Sequence, residues 1–217
     1  ASSENITIET NTSGDIFFNT GNTRAMSIQT GNKVFVGSNV QNQSLAFGGT
    51  LKTHQYLDSL NQTSPNSEEA KNYFIKARQA FKEAEPYASY LNPEVGHQAN
   101  GPALPRLTDD TQRVLLPIGF QKIEESIYEG GVAENDFKRE VELTNGLIKV
   151  LEDAIEKRKL NAQRFFIATH QQLMRIVSFG ITGFDTPVSG LGLAETQASI
   201  NNLRTVYELS LQPLITS

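Results

Sequence analysis

The chain has 217 residues and contains no cysteine and no tryptophan. The lack of cysteine excludes disulfides, zinc–thiolate sites, iron–sulfur clusters and haem attached through thioether bonds. An oxidising compartment is compatible with this composition, although it is not required by it.

The charge balance and the hydropathy exclude two further classes of partner. The 24 acidic and 19 basic residues give a net charge of −5, so no basic footprint for nucleic acid or an anionic membrane is present. No apolar run approaches the roughly eighteen residues that would cross a bilayer. We therefore expect no nucleic-acid partner and no membrane span.

Catalytic and metal-binding motifs are also lacking. The only imidazoles are His54, His97 and His170, and no two of them have metal-ligand spacing. The chain has no Gly-x-Ser-x-Gly elbow and no glycine-rich phosphate loop. A Ser-His-Asp triad formed by residues that are distant in the sequence is left open as a possibility by these motifs. We assign no catalytic residue, no metal ligand and no cofactor, and the sequence favours a non-enzymatic protein.

The composition changes near residue 50. Residues 1–50 are rich in Asn, Thr, Ser and Gly and carry few charges. The remainder mixes acidic and basic residues, as expected of solvated helix faces. This change predicts two domains, residues 1–50 and residues 51–217.

The first domain has the pattern of β-hairpins. Short runs that alternate polar and apolar residues are separated by Gly21-Asn22 and Gly31-Asn32, and such pairs accept the positive φ of tight turns. Residues 5–40 resemble the β-hairpin repeats of phage tail fibres and similar bacterial surface fibres. Since the segment has too few apolar residues for its own core, the resemblance implies a homotrimer through residues 1–50. The alternatives are a small β subdomain packed on the helices and an edge extension of one monomer.

The second domain has helical periodicity. The sequence predicts a mainly α fold, an antiparallel bundle of about five helices: 68–91, 106–129, one from Glu134, one over 161–180 and one from Ala194. The predicted core positions lie at three- and four-residue steps. They are Ala70, Phe74, Ala77, Phe81, Ala84, Ala88, Leu91, Phe137, Val141, Thr144, Ile148, Leu151, Ile155, Phe166, Thr169, Leu173, Ile176, Ile200, Leu203, Tyr207 and Leu211.

The predicted helix 106–129 contains Pro117, where we expect a kink. Its start is expected to be capped by the Thr108-Asp109-Asp110 run. Two Pro/Gly-rich connections are predicted over residues 92–105 and 183–190. The first is long for a loop within a compact domain, and such loops are often functional.

Four segments together resemble a known family: Tyr73–Glu85, Asn100–Pro105, Pro117–Glu125 and Gly180–Pro187. They resemble the helical, imelysin-like region that precedes the di-haem domain in some bacterial cytochrome c peroxidases, over residues 68–212. The resemblance implies a helper or docking module outside the cytoplasm, in the periplasm, at a cell surface or in a virion. Peroxidase activity is not carried over, because covalent haem needs a Cys-x-x-Cys-His motif.

Within this region, Gly119–Glu124 is similar to the Gly-Phe-His-x-Ile-Glu motif of imelysin-like periplasmic proteins tied to iron uptake. In that motif the His and Glu are proposed metal or substrate contacts. Here Gln121 stands at the His position and Glu124 at the Glu position, and Gln is the weaker metal ligand. The candidate ligand-binding residues are Gln121, Glu124, Asn100, Gly101 and Arg78. The alternative for Glu124 is a structural ion pair with Arg78.

Three functions follow from these observations. The first is a non-catalytic interaction module, a β stalk with a helical head that binds a protein partner or a second copy of itself. The second is a metal- or small-ligand-binding accessory domain of a peroxidase or an iron-uptake system. The third is an enzyme fragment with hydrolase or peroxidase activity. The two parts are either a natural protein or a fusion.

Overall fold

A computed structural model describes residues 6–10, 16–20, 23–29, 33–36, 40–107, 114–158, 161–210 and 212. Its first four strands are β1 (Ile6–Thr10), β2 (Ile16–Thr20), β3 (Thr23–Gln29) and β4 (Lys33–Val36). They pair antiparallel in the order β1-β2-β3-β4. The fibre-like role of this segment remains a prediction.

The described part of the chain is mainly helical, as predicted, and contains seven α-helices, six of which pack around the seventh. They are α1 (Val40–Leu60), α2 (Glu68–Leu91), α3 (Pro93–Asn100), α4 (Phe120–Tyr128), α5 (Glu134–Lys157), α6 (Ala162–Arg175) and α7 (Gly192–Ser210). A π-helical turn (Ile176–Gly180) continues α6. Helix α2 contacts each of the other six, so its side chains occupy the centre of the fold.

The helices α2 and α5 form where the sequence predicts them. Helix α2 begins after Ser67, whose hydroxyl accepts a hydrogen bond from the Ala70 backbone N–H, and its first turn is acidic, which suits the helix dipole. All the core positions predicted on these two helices are buried. Three- and four-residue spacing was sufficient here because each stripe faces apolar neighbours on one side.

Two helices were not predicted. Helix α1 contains Gly48 and Gly49, which weaken the helical pattern, but a side chain at Gly49 would collide with Ala80 and Ala84 of α2. The glycine therefore allows the two helices to approach closely. Since α1 runs through residue 50, the change in composition falls inside a helix, and the division into two domains stays a prediction.

The predicted connection 92–105 is wrong in its first part, because residues 93–100 form α3. Asn92 caps this helix by accepting from the Val95 backbone N–H, and Pro93 occupies its first turn. Proline is favoured there, since its missing N–H would have no partner within the helix. The Pro/Gly content thus marks the ends of a short helix.

The predicted kinked helix 106–129 is also wrong. Two short strands, β5 (Arg106–Leu107) and β6 (Val114–Leu115), pair antiparallel, and α4 begins only at Phe120. Gly119 has φ +106°, which no helix accommodates, and Pro117 disfavours helical geometry in the residue before it. The predicted cap at residues 108–110 lies outside the described residues.

The predicted core registers of the last two helices are partly wrong. On α6 the buried residues are Phe165, Ala168 and Gln172, whereas Phe166 and Leu173 are exposed. On α7, Leu203 is buried as predicted, but Ile200 and Tyr207 are largely exposed. Apolar residues occupy adjacent positions on α6, so the pattern fits two faces about 100° apart. Leu211 lies outside the described residues.

None of the helices in the described ranges has the length and apolar character needed to cross a membrane.

Candidate functional site

Charged side chains of α2 are buried at the centre of the fold. Arg78, Lys82 and Glu85 follow one another at four- and three-residue steps, so they share one face of the helix, and each is at most 2% exposed. Buried charges require partners, which α3, α7 and the connection 181–191 provide.

The Arg78 guanidinium is held by side chains of two other helices. Its Nε donates to Glu195 Oε1 of α7 at 2.6 Å, and its Nη2 donates to the other oxygen of the same carboxylate. Its Nη1 donates to the Asn100 side-chain oxygen of α3 at 2.9 Å. Burial disfavours the charged form, but the Glu195 carboxylate outweighs this and raises the pKa of Arg78. Arg78 therefore joins α2, α3 and α7.

The Lys82 ammonium forms the second centre of this network. It donates to Asp185 Oδ2 at 2.8 Å, to Glu85 Oε2 at 3.0 Å and to Asn100 Oδ1 at 3.3 Å. Asn100 Nδ2 also donates to Asp185 Oδ1 at 2.7 Å. Although burial opposes ionisation, Lys82 and Arg78 hold the pKa of the Asp185 carboxyl below its ordinary value.

A glutamine extends the network toward α6. Gln172 Nε2 donates to Glu85 Oε2 at 2.7 Å, and Gln172 Oε1 accepts from Arg175 at 3.0 Å. The buried part of the network holds two cations, Arg78 and Lys82, and the three carboxylates of Glu85, Asp185 and Glu195. Arg175 adds a third positive charge at the edge of the network.

A cavity of about 390 Å³ opens directly beside the network. Its polar lining comprises His97, Asn100, Gln121, Arg175 and Asp185, and its apolar lining includes Pro102, Phe179, Phe184 and Pro187. A smaller cavity of about 220 Å³ adjoins it, since both are lined by His97, Gly101 and Pro102. The first is called the larger cavity because it is the larger of these two neighbours.

Gln121 fixes one wall of the larger cavity. Its Nε2 donates to the Phe184 carbonyl oxygen at 2.6 Å and to the Asp185 carbonyl oxygen at 3.4 Å. Gly101, with φ +132°, lies against the Gln121 side chain so closely that a β-carbon there would collide with it. The glycine and the glutamine thus position the connection that carries Phe184 and Asp185.

Glu124 makes a separate contact with the same connection. Its Oε1 accepts from both the backbone N–H (2.8 Å) and the hydroxyl of Ser189, while its Oε2 is buried without a hydrogen-bond partner among the described residues. Burial raises the pKa of the Glu124 carboxyl above its ordinary value, against the two hydrogen bonds from Ser189. The ion pair between Glu124 and Arg78 that the sequence left open is not formed.

The structure brings together three of the five predicted ligand-binding residues, since Asn100, Gly101 and Gln121 line the larger cavity. Arg78 lies behind the wall, bonded to Asn100, and Glu124 holds the connection from outside the lining. Their roles as ligand contacts remain predictions.

Sequence reasoning did not find Lys82, Asp185, Glu195 or Arg175. A signal existed for Lys82, because charged residues at four- and three-residue steps lie beside the apolar stripe of α2 and must be buried or form its edge. Asp185 and Glu195 gave no such signal, since their partners lie about a hundred residues away in the chain.

No metal site was found within the part of the chain that the structure describes, where no group of three or more His, Asp and Glu side chains has a suitable arrangement. His54 instead lies 3.2 Å from the Glu152 carboxylate, between α1 and α5. The His54 ring and the Lys149 ammonium, which donates to Glu152 Oε1 at 2.8 Å, lower the pKa of the Glu152 carboxyl to about 2 despite its burial.

No protein-family model matches the chain, and no curated protein matches its sequence. The imelysin-like and fibre-like resemblances therefore rest on the residues quoted for them.

Proposed function

We propose that the helical part of the chain is a binding module that holds a small, mainly apolar molecule in the larger cavity. The observation that carries this proposal is the cavity itself, which has about 390 Å³ of space and both aromatic and polar lining residues. Ligand sites of proteins are of about 300–1,000 Å³ and combine apolar walls with a few fixed polar groups.

The buried network supports this function because it holds the polar wall rigid. Asn100 is bonded to Arg78, Lys82 and Asp185, so α2 and the connection 181–191 set its position before a ligand arrives. A preformed wall lowers the entropy cost of binding. The exposed aromatic rings of Phe179 and Phe184 would then lose contact with water when the cavity is filled.

A titration with phenylacetamide, followed in ¹H–¹⁵N NMR spectra, tests the proposal. We expect saturable shifts for the amides of Gly101, Phe179 and Phe184. Replacing Phe184 by Ala should lower the affinity severalfold, because its ring lines the cavity. The side chain is 68% exposed, so the variant should still fold. The matched control is Tyr207→Ala, an exposed aromatic of α7 outside the cavity lining. Shifts absent from all three amides would contradict the proposal.

A second candidate function, self-association, is favoured by an exposed apolar face. The α6 strip, defined as Phe166, Leu173, Met174 and Val177, is exposed along one side of α6 and the π-helical turn. Residues 161–184 include no Asp or Glu, so pairing two strips would bury apolar surface without desolvating a carboxylate of this segment. Large exposed apolar patches mark interaction sites, and we propose a second copy of the chain as the occupant.

The predicted location and the predicted homotrimer through residues 1–50 are kept within the proposal. The imelysin-like and fibre-like resemblances support an accessory module outside the cytoplasm, either natural or fused. The mass in solution separates a pair formed through the α6 strip from a trimer formed through residues 1–50.

A further inference from the structure

Arg175 is the cation on the wall of the larger cavity that lacks a carboxylate partner. It is the last residue of α6 and is partly buried. One of its Nη atoms donates to Gln172 Oε1 at 3.0 Å, a neutral acceptor, and no carboxylate among the described residues forms an ion pair with it. The remaining N–H groups of the Arg175 guanidinium have no carboxylate acceptor among the described residues.

Asp185, the acidic residue of the same wall, already has a hydrogen-bond donor at each of its carboxylate oxygens. Its Oδ1 accepts from Asn100 at 2.7 Å and its Oδ2 accepts from Lys82 at 2.8 Å. Asn100 Oδ1 is likewise shared by Arg78 and Lys82. The polar groups of the network are therefore hydrogen-bonded to one another. Arg175 is the charged side chain of the wall that has N–H donors available for a ligand.

The apolar part of the wall determines which kind of apolar group the ligand can carry. Phe179 belongs to the π-helical turn directly after Arg175, and Phe184 is held by the hydrogen bond from Gln121 to its carbonyl oxygen. Both line the same cavity as Arg175. Aromatic rings favour flat apolar groups, and a guanidinium fork matches the geometry of a carboxylate.

We infer that the ligand of this cavity is a small organic acid, with an apolar, aromatic-sized body against Phe179 and Phe184 and a carboxylate paired with Arg175. This inference rests on the proposed binding function and adds the chemical class of the ligand. Arg175 is the residue that determines specificity for the acid.

Three probes of nearly equal shape test the inference: phenylacetate, phenylacetamide and 2-phenylethylamine, titrated into the full chain at one ionic strength. We expect phenylacetate to bind about tenfold more tightly than phenylacetamide, because charge-assisted hydrogen bonds are about twice as strong as neutral ones. The amine should bind most weakly.

The variant Arg175→Gln should lower the affinity for phenylacetate far more than the affinity for phenylacetamide, and so remove the preference for the acid. Arg175→Lys should keep part of the preference, since it retains the charge without the fork. Arg204→Gln is the matched control, because the Arg204 side chain is 70% exposed on α7 and should leave every affinity unchanged. Circular dichroism verifies that each variant is folded.

The outcomes distinguish the inference from the proposed function. Equal binding of phenylacetate and phenylacetamide, insensitive to Arg175→Gln, would overturn the inference and leave the binding function in place. Tightest binding of the amine would overturn it as well, showing that Asp185 dominates the wall. Binding of none of the three probes would contradict both.

Discussion

At the scale of single residues, the buried charges of α2 determine how the site is built. Arg78 and Lys82 are almost wholly buried and bonded to the carboxylates of Glu195, Asp185 and Glu85. Removing one member of such a network leaves an uncompensated buried charge, which costs about 3–5 kcal/mol, whereas the intact network contributes much less net stability. Its main effect is to fix the elements that surround the cavity in one arrangement.

Only part of this arrangement follows from the sequence. Asn100, Gly101 and Gln121 were singled out because their short segments resemble a family, and they do lie at the cavity. Arg175 and Asp185 were not singled out, because their place at the site depends on residues far away in the chain. The periodicity of the sequence gives no information about such contacts. Phe184 was placed in the predicted connection 183–190 and Phe179 was given no role, since exposure at a helix end depends on what packs beside it.

Glu124 provides a prediction about pH. Its pKa is raised in the folded protein, mainly by burial, so the folded state favours the protonated carboxyl. The stability that this gives is fully present below the ordinary value of 4.5 and is lost as the pH rises through the folded pKa. Relative to the wild type, Glu124→Gln should therefore gain unfolding free energy as the pH rises.

Urea unfolding at a series of pH values measures this difference. Glu125→Gln is the control, because this neighbouring carboxylate is about one-third exposed and pairs with Lys122 at the surface. The pH dependence assigned to Glu124 is the part that Glu124→Gln shows and Glu125→Gln does not. A difference for Glu124→Gln that falls with rising pH would show that the hydrogen bonds from Ser189 outweigh burial.

At the scale of elements, the predictions succeed for helices with one clear apolar face and fail where glycine or proline has a tertiary role. The stripes of α2 and α5 are long and unambiguous. In α1, Gly49 lies directly against α2, and α3 is short and bounded by Asn92 and Gly101. The segment before α4 has a helical pattern of apolar residues, but Pro117 and Gly119 prevent a helix from forming there.

Gly119 at the start of α4 yields a prediction of stability. A β-carbon at this position would collide with the Gln98 carbonyl oxygen of α3, and φ is +106°. Gly119→Ala should therefore lower the unfolding free energy by about 1–3 kcal/mol, the usual cost of a strained backbone position, and more if α3 has to move.

Gly146→Ala is the matched control for this change. Gly146 is exposed within α5, and a β-carbon there would meet no atom within 4 Å. Alanine should stabilise the helix by about 0.5–1 kcal/mol, so the two substitutions should have opposite signs in urea unfolding. Equal effects would mean that Gly119 does not hold α4 against α3.

At the scale of the whole molecule, the cavity and the α6 strip lie on the same elements. Arg175 and Phe179 line the cavity, while Met174 and Val177 are exposed beside them in the chain. The π-helical turn Ile176–Gly180 carries both Val177 of the strip and Phe179 of the cavity. Such turns are frequent at functional sites. A ligand in the cavity and a second copy on the strip would therefore contact one continuous segment.

The last prediction concerns the mass of the protein in solution. A chain of 23.9 kDa that pairs through the α6 strip should sediment as a dimer at high concentration. Val177→Glu should make it monomeric, because Val177 is 60% exposed at the C-terminal end of the strip and each new carboxylate would be desolvated on pairing. Val150→Glu is the control, since Val150 is exposed on α5 and outside the strip.

Analytical ultracentrifugation of the full chain separates the two modes of association. A dimer that dissociates in Val177→Glu but persists in Val150→Glu would support pairing through the strip, as expected for a self-complementary two-fold contact. A trimer unaffected by Val177→Glu would instead assign the association to residues 1–50. A wild-type monomer at every concentration would contradict both modes, and the exposed apolar residues of α6 would then require a partner other than this chain.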